Sequence, residues 1–465
     1  MRAGPVTRLP ARALAVAALA GGALSAQEPP PGPGARVPGG YALQATLPRP
    51  VSTVAAASVR LPHGSADDPQ GLEGMALLLA HMLESTASDR LGAWGATVTS
   101  EVGRTETVFT LLVPVDGLRP SLAVADSVLF RTPLDAETFQ RRRQEAFERL
   151  AFEAGSPIRE YEAEAAYLLV GSSSPWARPA AGTPTSVEAL TLGALEAFRR
   201  EHVQRALAAL AVVGPGLDTD ARAGAPADTT GAPVASPDTS AAAPPPADTL
   251  GPPADTLSPP ADTVAPAAAP TYAWSTADRL DLVRDVTNTW IQVGYPVPAG
   301  FPRTDLEVLA HALDEELDPT PPDPDRYSVS VRLERLPGGP VLLVEAAVLP
   351  EAADRWERRI LSAVERLASG GMHETLFAWQ KRRARSARLL AEAAPEAAAR
   401  RAAEDLLREG RVRDLEAELA AMDVAGLSRA AESLGEPRVL RFGPDLGAQD
   451  AERARHGGAY TPGPA

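Results

Sequence analysis

Residues 215 to 270 constrain the fold more than any other stretch, because they divide the chain into two halves that must each find a core. The tetrapeptide Pro-Ala-Asp-Thr recurs there at Pro226, Pro246, Pro253 and Pro260 among Ala, Gly and Ser, with no aromatic residue. Such a segment buries too little apolar area to offset the entropy lost on ordering it, so a disordered, mildly acidic linker is expected. The full chain has 465 residues, of which 45% are hydrophobic, and this leaves enough apolar material on either side for a core of its own.

The same order of elements is expected in both halves. In the first, residues 41 to 214, Ser52 to Leu61 reads as a strand and Gly71 to Glu84 as a buried helix, apolar on nearly every face. Strands follow at Ala96 to Val102 and Glu106 to Val113, then helices at Leu118 to Phe130, Asp135 to Glu153, Ile158 to Val170 and Ser186 to His202. A strand from Ala206 to Val213 closes the half. In the second, residues 271 to 445, Thr287 to Val297 reads as a strand and Asp305 to Leu317 as a helix, with a hairpin from Tyr327 to Leu349. Helices are expected at Ala352 to Ala368, at Glu374 to Leu407 with a break at Pro395, and at Arg411 to Leu434, before a last strand from Pro437 to Phe442. The pattern implies an α+β fold made twice.

The ends carry other signals. Arg2, Arg8 and Arg12 precede the apolar run Ala13 to Leu24 and the small residues Ser25 and Ala26, the pattern of a secretory signal peptide over residues 1 to 26. A Pro/Gly-rich leader to residue 40 and a tail from 446 to 465 are expected to be disordered. The chain is therefore expected to be exported, periplasmic or extracellular, with no transmembrane anchor. Cysteine is absent, so disulfides, thiolate catalysis and thiolate metal sites are excluded. A net charge of −15 disfavours nucleic acid as a partner.

One series of short features runs in order through the first half: Gly64-Ser65, Gly74 to Leu83, Leu91-Gly92, Thr105 to Phe109 leading to Val113-Pro114-Val115-Asp116, then Ser174-Pro175-Trp176 with Gly182, Leu190-Thr191 and Ala211 to Gly214. That order resembles the M16, or insulinase-like, metallopeptidases, which include the mitochondrial processing peptidase. The second half resembles the weaker second repeat of that family. The resemblance implies two tandem M16-type α+β domains and a zinc site built on His-x-x-Glu-His, with two His ligands one helical turn apart, a Glu that activates the metal-bound water, and a Glu ligand from a later helix. Here the five positions read Leu77, Leu78, Leu79, Ala80 and His81. One His remains, and Glu145 or Glu148 stands where the downstream ligand would be sought. Catalytic zinc needs three protein ligands and an open position, so no zinc and no catalytic residue is expected.

His63, His81, His202, His311, His373 and His456 include no pair spaced as ligands on one helix. The run Arg141 to Arg149, which holds Glu148, reads rather as a solvated, salt-bridged helix face. The family's paired members also hold substrate with an Arg and a Tyr seven residues apart. Tyr327 resembles that Tyr, a candidate substrate contact, but seven residues earlier stands Thr320. The resemblance thus implies a non-catalytic subunit that pairs with an active zinc-bearing M16 subunit around a peptide chamber. A zinc peptidase with a rebuilt site on His81 and Glu148, or a protein that binds peptides alone, are the alternatives.

Overall fold

The computed structural model describes residues 39–217 and 277–445, apart from positions 173, 299, 319, 320, 337, 338 and 371. The expected signal peptide, nearly all of the leader, the linker beyond Leu217 and the tail beyond residue 445 lie outside the described residues.

The first half contains strands β1 (Leu43–Pro48), β2 (Val54–Leu61), β3 (Thr97–Val102), β4 (Thr107–Pro114) and β5 (Ala209–Gly214). Its helices are α1 (Met75–Leu91), α2 (Leu118–Phe130), α3 (Ala136–Glu153), α4 (Pro157–Val170), α5 (Pro184–Ala189) and α6 (Leu192–His202). The second half repeats this sequence of elements, with strands β6 (Arg279–Val283), β7 (Thr289–Pro296), β8 (Arg326–Leu336), β9 (Gly339–Val348) and β10 (Arg438–Gly443). Its helices are α7 (Arg303–Leu317), α8 (Ala353–Ala368), α9 (Glu374–Ala391), α10 (Pro395–Glu409), α11 (Leu415–Ala421) and α12 (Val424–Glu432). Each half forms one five-stranded sheet, in the orders β1-β5-β2-β4-β3 and β6-β10-β7-β9-β8. In each, the first pair is parallel and the others antiparallel. The two sheets therefore share one topology, and every helix has a counterpart.

Several sequence expectations need correction. β1 and β6 were not anticipated; each is a short strand that pairs in parallel with the last strand of its half, far away in sequence. Helix α1 starts later than expected, after Gly74, and runs on to Leu91 because Ser85 and Ala87 continue its buried face. The single helix expected over Ser186 to His202 is two. Leu190 is extended, and the Thr183 and Thr191 side chains cap α5 and α6 by accepting N–H groups from Ser186 and Ala194. Arg411 to Leu434 is likewise divided, with Asp414 and Asp423 capping α11 and α12. The break at Pro395 is present, with Pro395 opening α10.

Each half packs most of its helices on one face of its own sheet, giving cores around Leu79, Leu83 and Phe109 in the first and around Leu309, Trp356 and Leu342 in the second. The other face of each sheet is covered by a helix of the opposite half. Helix α10 lies across β1, β5, β2 and β4, and its counterpart α4 lies against β7 and β10.

Candidate functional site

Helix α1 is set in place at its N-terminus. Asp68, 2% exposed, accepts the backbone N–H groups of Gly74 (2.7 Å) and Ala76 (2.8 Å), a carboxylate at the positive end of the helix. Burial pushes the Asp68 carboxyl up to about 7, against these donors and Arg178. Gly74 has φ +93°, and a Cβ there would stand 2.6 Å from the carbonyl oxygen of Ala181, so only glycine admits this close approach.

Along α1, Leu77, His81 and Glu84 fall on one half-buried face, while Leu78, Leu79 and Ala80 point into the core, with Ala80 2% exposed. Burial lowers the His81 pKa; Arg149 and Arg142 of α3 lower it further, opposed by Glu84 and Glu145. Glu145 is exposed and ion-paired with Arg142 at 2.8 Å. Glu148 is exposed and accepts from Gln144 Nε2 at 2.8 Å. The fold thus brings Arg149, Arg142 and Glu145 toward His81, and Glu148 is not among the groups acting on it. The helical register that the sequence left open puts a cation, Arg149, on the side of α3 that addresses His81.

One imidazole, a leucine and a methyl group, flanked by two guanidinium groups, do not fit a divalent cation. A metal needs converging donors and negative charge, and here the α3 carboxylate that acts on His81, Glu145, is already paired with Arg142. Among the described residues no group of three or more His, Cys, Asp or Glu could hold a metal ion. No step through zinc is assigned to these residues.

The helix expected over Asp305 to Leu317 is α7, the counterpart of α1, but the residue-by-residue match between the two helices was not drawn from the sequence. Leu309-Ala310-His311-Ala312-Leu313-Asp314 on α7 repeats Leu79-Ala80-His81-Met82-Leu83-Glu84, a signal that aligning the two halves would have exposed. His311 is also half-buried; burial lowers its pKa, with Arg383 of α9 adding to this and Asp314 and Glu307 opposing it. Glu307 occupies the position of Leu77. It binds Arg401 at 3.0 Å, Arg303 at 2.9 Å and Arg413 at 3.1 Å, so it is a structural carboxylate rather than a ligand in waiting. Glu307 and His311 line a cavity of about 630 Å³ between α7, α9 and α10 whose arginines are matched by carboxylates. Burial pushes Glu404 in this wall up, but Arg408, Arg303, Arg60 and Arg401 more than offset it and hold its carboxyl down at about 2.

Tyr327 is 65% exposed at the start of β8, beside an irregularity between Arg326 and Ser328, so it does not pack on a helix. Thr320, its spacing partner, lies outside the described residues.

No protein-family model matches the sequence, and no curated protein does. Among solved structures, an inactive M16 peptidase domain from Pseudomonas fluorescens matches with a TM-score of 0.67 at 14% identity, over 87% of this chain and 96% of that one. A protease from Helicobacter pylori matches with a TM-score of 0.65 at 16% identity, over 88% and 98%. A chain of complex III2 from Candida albicans matches with a TM-score of 0.64 at 16% identity, over 89% and 96%. The chain has the M16 peptidase fold, two tandem α+β halves.

Proposed function

We propose that this protein is an exported, non-catalytic M16-fold subunit that pairs with a zinc-bearing M16 subunit and supplies half of a peptide-enclosing chamber. The observation that carries this reading is a preserved fold around an emptied motif. The helix is present and anchored by Asp68 and a glycine entry, while the residues at the resembling first-ligand and general-base positions are Leu77 and Ala80. These replacements have a physical logic. A carboxylate left in a buried site without its metal would be an uncompensated charge, whereas leucine and alanine pack. The likeness to an inactive M16 domain from Pseudomonas fluorescens supports the same reading. Among the described residues no helix is long and apolar enough to cross a membrane.

Co-expression with an M16 subunit that carries an intact His-x-x-Glu-His is expected to give a stable heterodimer on size exclusion, with peptide hydrolysis that requires the partner's zinc. Two separate monomers would overturn the proposal. A rebuilt zinc peptidase predicts instead stoichiometric zinc in the isolated chain and hydrolysis lost in His81→Ala, which the engagement of Glu148 by Gln144 disfavours.

A further inference from the structure

The emptied motif sits beside a sheet edge. β3 is the terminal strand of the first sheet, hydrogen-bonded to β4 on one side only. An edge strand presents a row of outward N–H and C=O groups on which another extended chain can pair. In β3 that row is interrupted at its middle. Glu84, on the face of α1 that also carries Leu77 and His81, accepts the backbone N–H of Ser100 at 3.0 Å and, through the same carboxylate oxygen, the Ser100 hydroxyl. The Ser100 N–H therefore points away from β4, and the N–H groups of Val98 and Val102, two residues to either side, share that direction. A strand added here would run about 4.8 Å from β3, through the space the Glu84 carboxylate fills.

The second half provides an internal comparison. Its equivalent edge is β8, and the residue equivalent to Glu84 is Asp314, one methylene shorter; among the described residues the hydrogen bond that joins α7 to β8 runs from Arg326 to the Leu317 carbonyl and does not involve the Asp314 carboxylate. The duplicated fold thus does not require a carboxylate on the edge strand. The contact is particular to the edge next to the emptied motif.

We propose that Glu84 is an autoinhibitory plug: it closes the β3 edge to strand addition by an extended peptide, so that this half does not take substrate at its own sheet edge. For its occupant this rests on the reading of the chain as part of a peptide chamber. Glu84 touches no reacting atom and acts by occupying Ser100.

The test uses the full chain with fluorescein-labelled oxidised insulin B chain as an extended peptide probe, read by fluorescence anisotropy and by amide hydrogen exchange. Glu84→Ala is expected to bind the probe at least about tenfold more tightly than the unaltered chain. Exchange protection induced by the peptide is expected on Val98, Ser100 and Val102. Equal affinity in the two folded proteins overturns the proposal, as does peptide-induced protection on β8 in place of β3. Should Glu84→Ala fail to fold, Glu84→Asp, one methylene shorter like Asp314 and so withdrawn from Ser100, is expected to move affinity the same way by about threefold, and no change in it overturns the plug. Failure here leaves the pairing proposal standing, because that is read from heterodimer formation.

Discussion

The two helices that cross between the halves do the same job with opposite chemistry. Helix α4 meets the second sheet through large apolar groups. Tyr161, Trp290 and Phe442 form a ring cluster with centroids 5.6–6.0 Å apart, and Leu168 and Leu169 fill the space beside them. Helix α10 meets the first sheet through Ala398, Ala399, Ala402 and Ala403, set against Ala56, Ala209 and Ala211. Alanine on alanine brings backbones close but buries little area per residue. Around that thin seam stands an ion network. Arg60 of β2 binds Glu106 at 2.7 Å, Arg408 of α10 binds the same carboxylate at 2.6 Å, and Glu404 joins Arg303, Arg408 and Arg60. The comparison teaches that one topology, repeated, can be locked by dispersion and area on one side and by matched charge on the other. The two locks should fail under different conditions.

The largest effect is expected at Glu404. Glu404→Ala would leave Arg60, Arg303, Arg401 and Arg408 facing one another with their central anion gone, a loss of about 3–5 kcal/mol in urea unfolding. The same lock should release in acid. The Glu404 carboxyl is held at about 2 against an ordinary 4.5, so its contribution is present above pH 4.5 and is lost as pH falls toward 2. Leu168→Ala in the α4 seam should cost somewhat less, about 3 kcal/mol, by opening a cavity at a fully buried site. That deficit should be the same at pH 7 and pH 3. A Leu168→Ala deficit that changes with pH as the Glu404→Ala deficit does would erase the contrast between the two locks.

A second acid response is expected at His63 and should be separable from that of Glu404 by its pH window. His63, 3% exposed, lies in the turn before α1 with its ring 5.8 Å from Phe198 and 5.9 Å from His202, and neither ring nitrogen has a hydrogen-bond partner. Burial, with His202 adding to it, pushes its pKa down to about 4. A folded value below the unfolded one means the unfolded chain takes up the proton first. The His63 contribution is therefore complete above about pH 6.5 and falls by roughly 3 kcal/mol as pH drops through 6.5 toward 4, while protonation of Asp68, whose carboxyl is raised to about 7, acts in the opposite direction over the same window. Chemical unfolding of His63→Phe should lack this loss between pH 7 and pH 4 and keep the later one assigned to Glu404. An unchanged profile in the variant would remove His63 from the account.

The locks and the fold differ in how far the sequence exposes them. Strong local signals carried the elements: the helical spacing of Leu118 to Phe130 and the break at Pro395. The α5–α6 break was harder to read because Leu190 has no breaking character of its own; its extended backbone is imposed by the caps around it. β1 and β6 draw their stability from partners more than 150 residues away, which no local pattern reports. The Glu84 to Ser100 contact and the Arg60, Glu106 and Glu404 network are tertiary in the same sense: each residue alone reads as an ordinary polar side chain. His311 was legible, since Leu-Ala-His-x-Leu occurs in both halves, but only once the repeat is aligned element by element.

The smallest expected effect probes how much give the apolar lock has. Gly294 of β7 lies beneath α4, and a Cβ there would stand 2.7 Å from Leu169 Cδ2 and 3.2 Å from Leu343 Cδ2. Both contacts are with the far ends of leucine side chains, which can rotate away, so Gly294→Ala is expected to cost only about 1 kcal/mol. The α10 seam has less slack around Ala402, because Ala402 and Ala403 face Ala209 and Ala211, whose methyls are fixed to their backbones, although Leu406 packs in the same cluster. Ala402→Val, one step larger at that seam, is therefore expected to cost more than Gly294→Ala when both are measured by thermal unfolding at pH 7. If the order reverses, the alanine seam is the more pliable of the two, and the ion network rather than backbone proximity sets the position of α10.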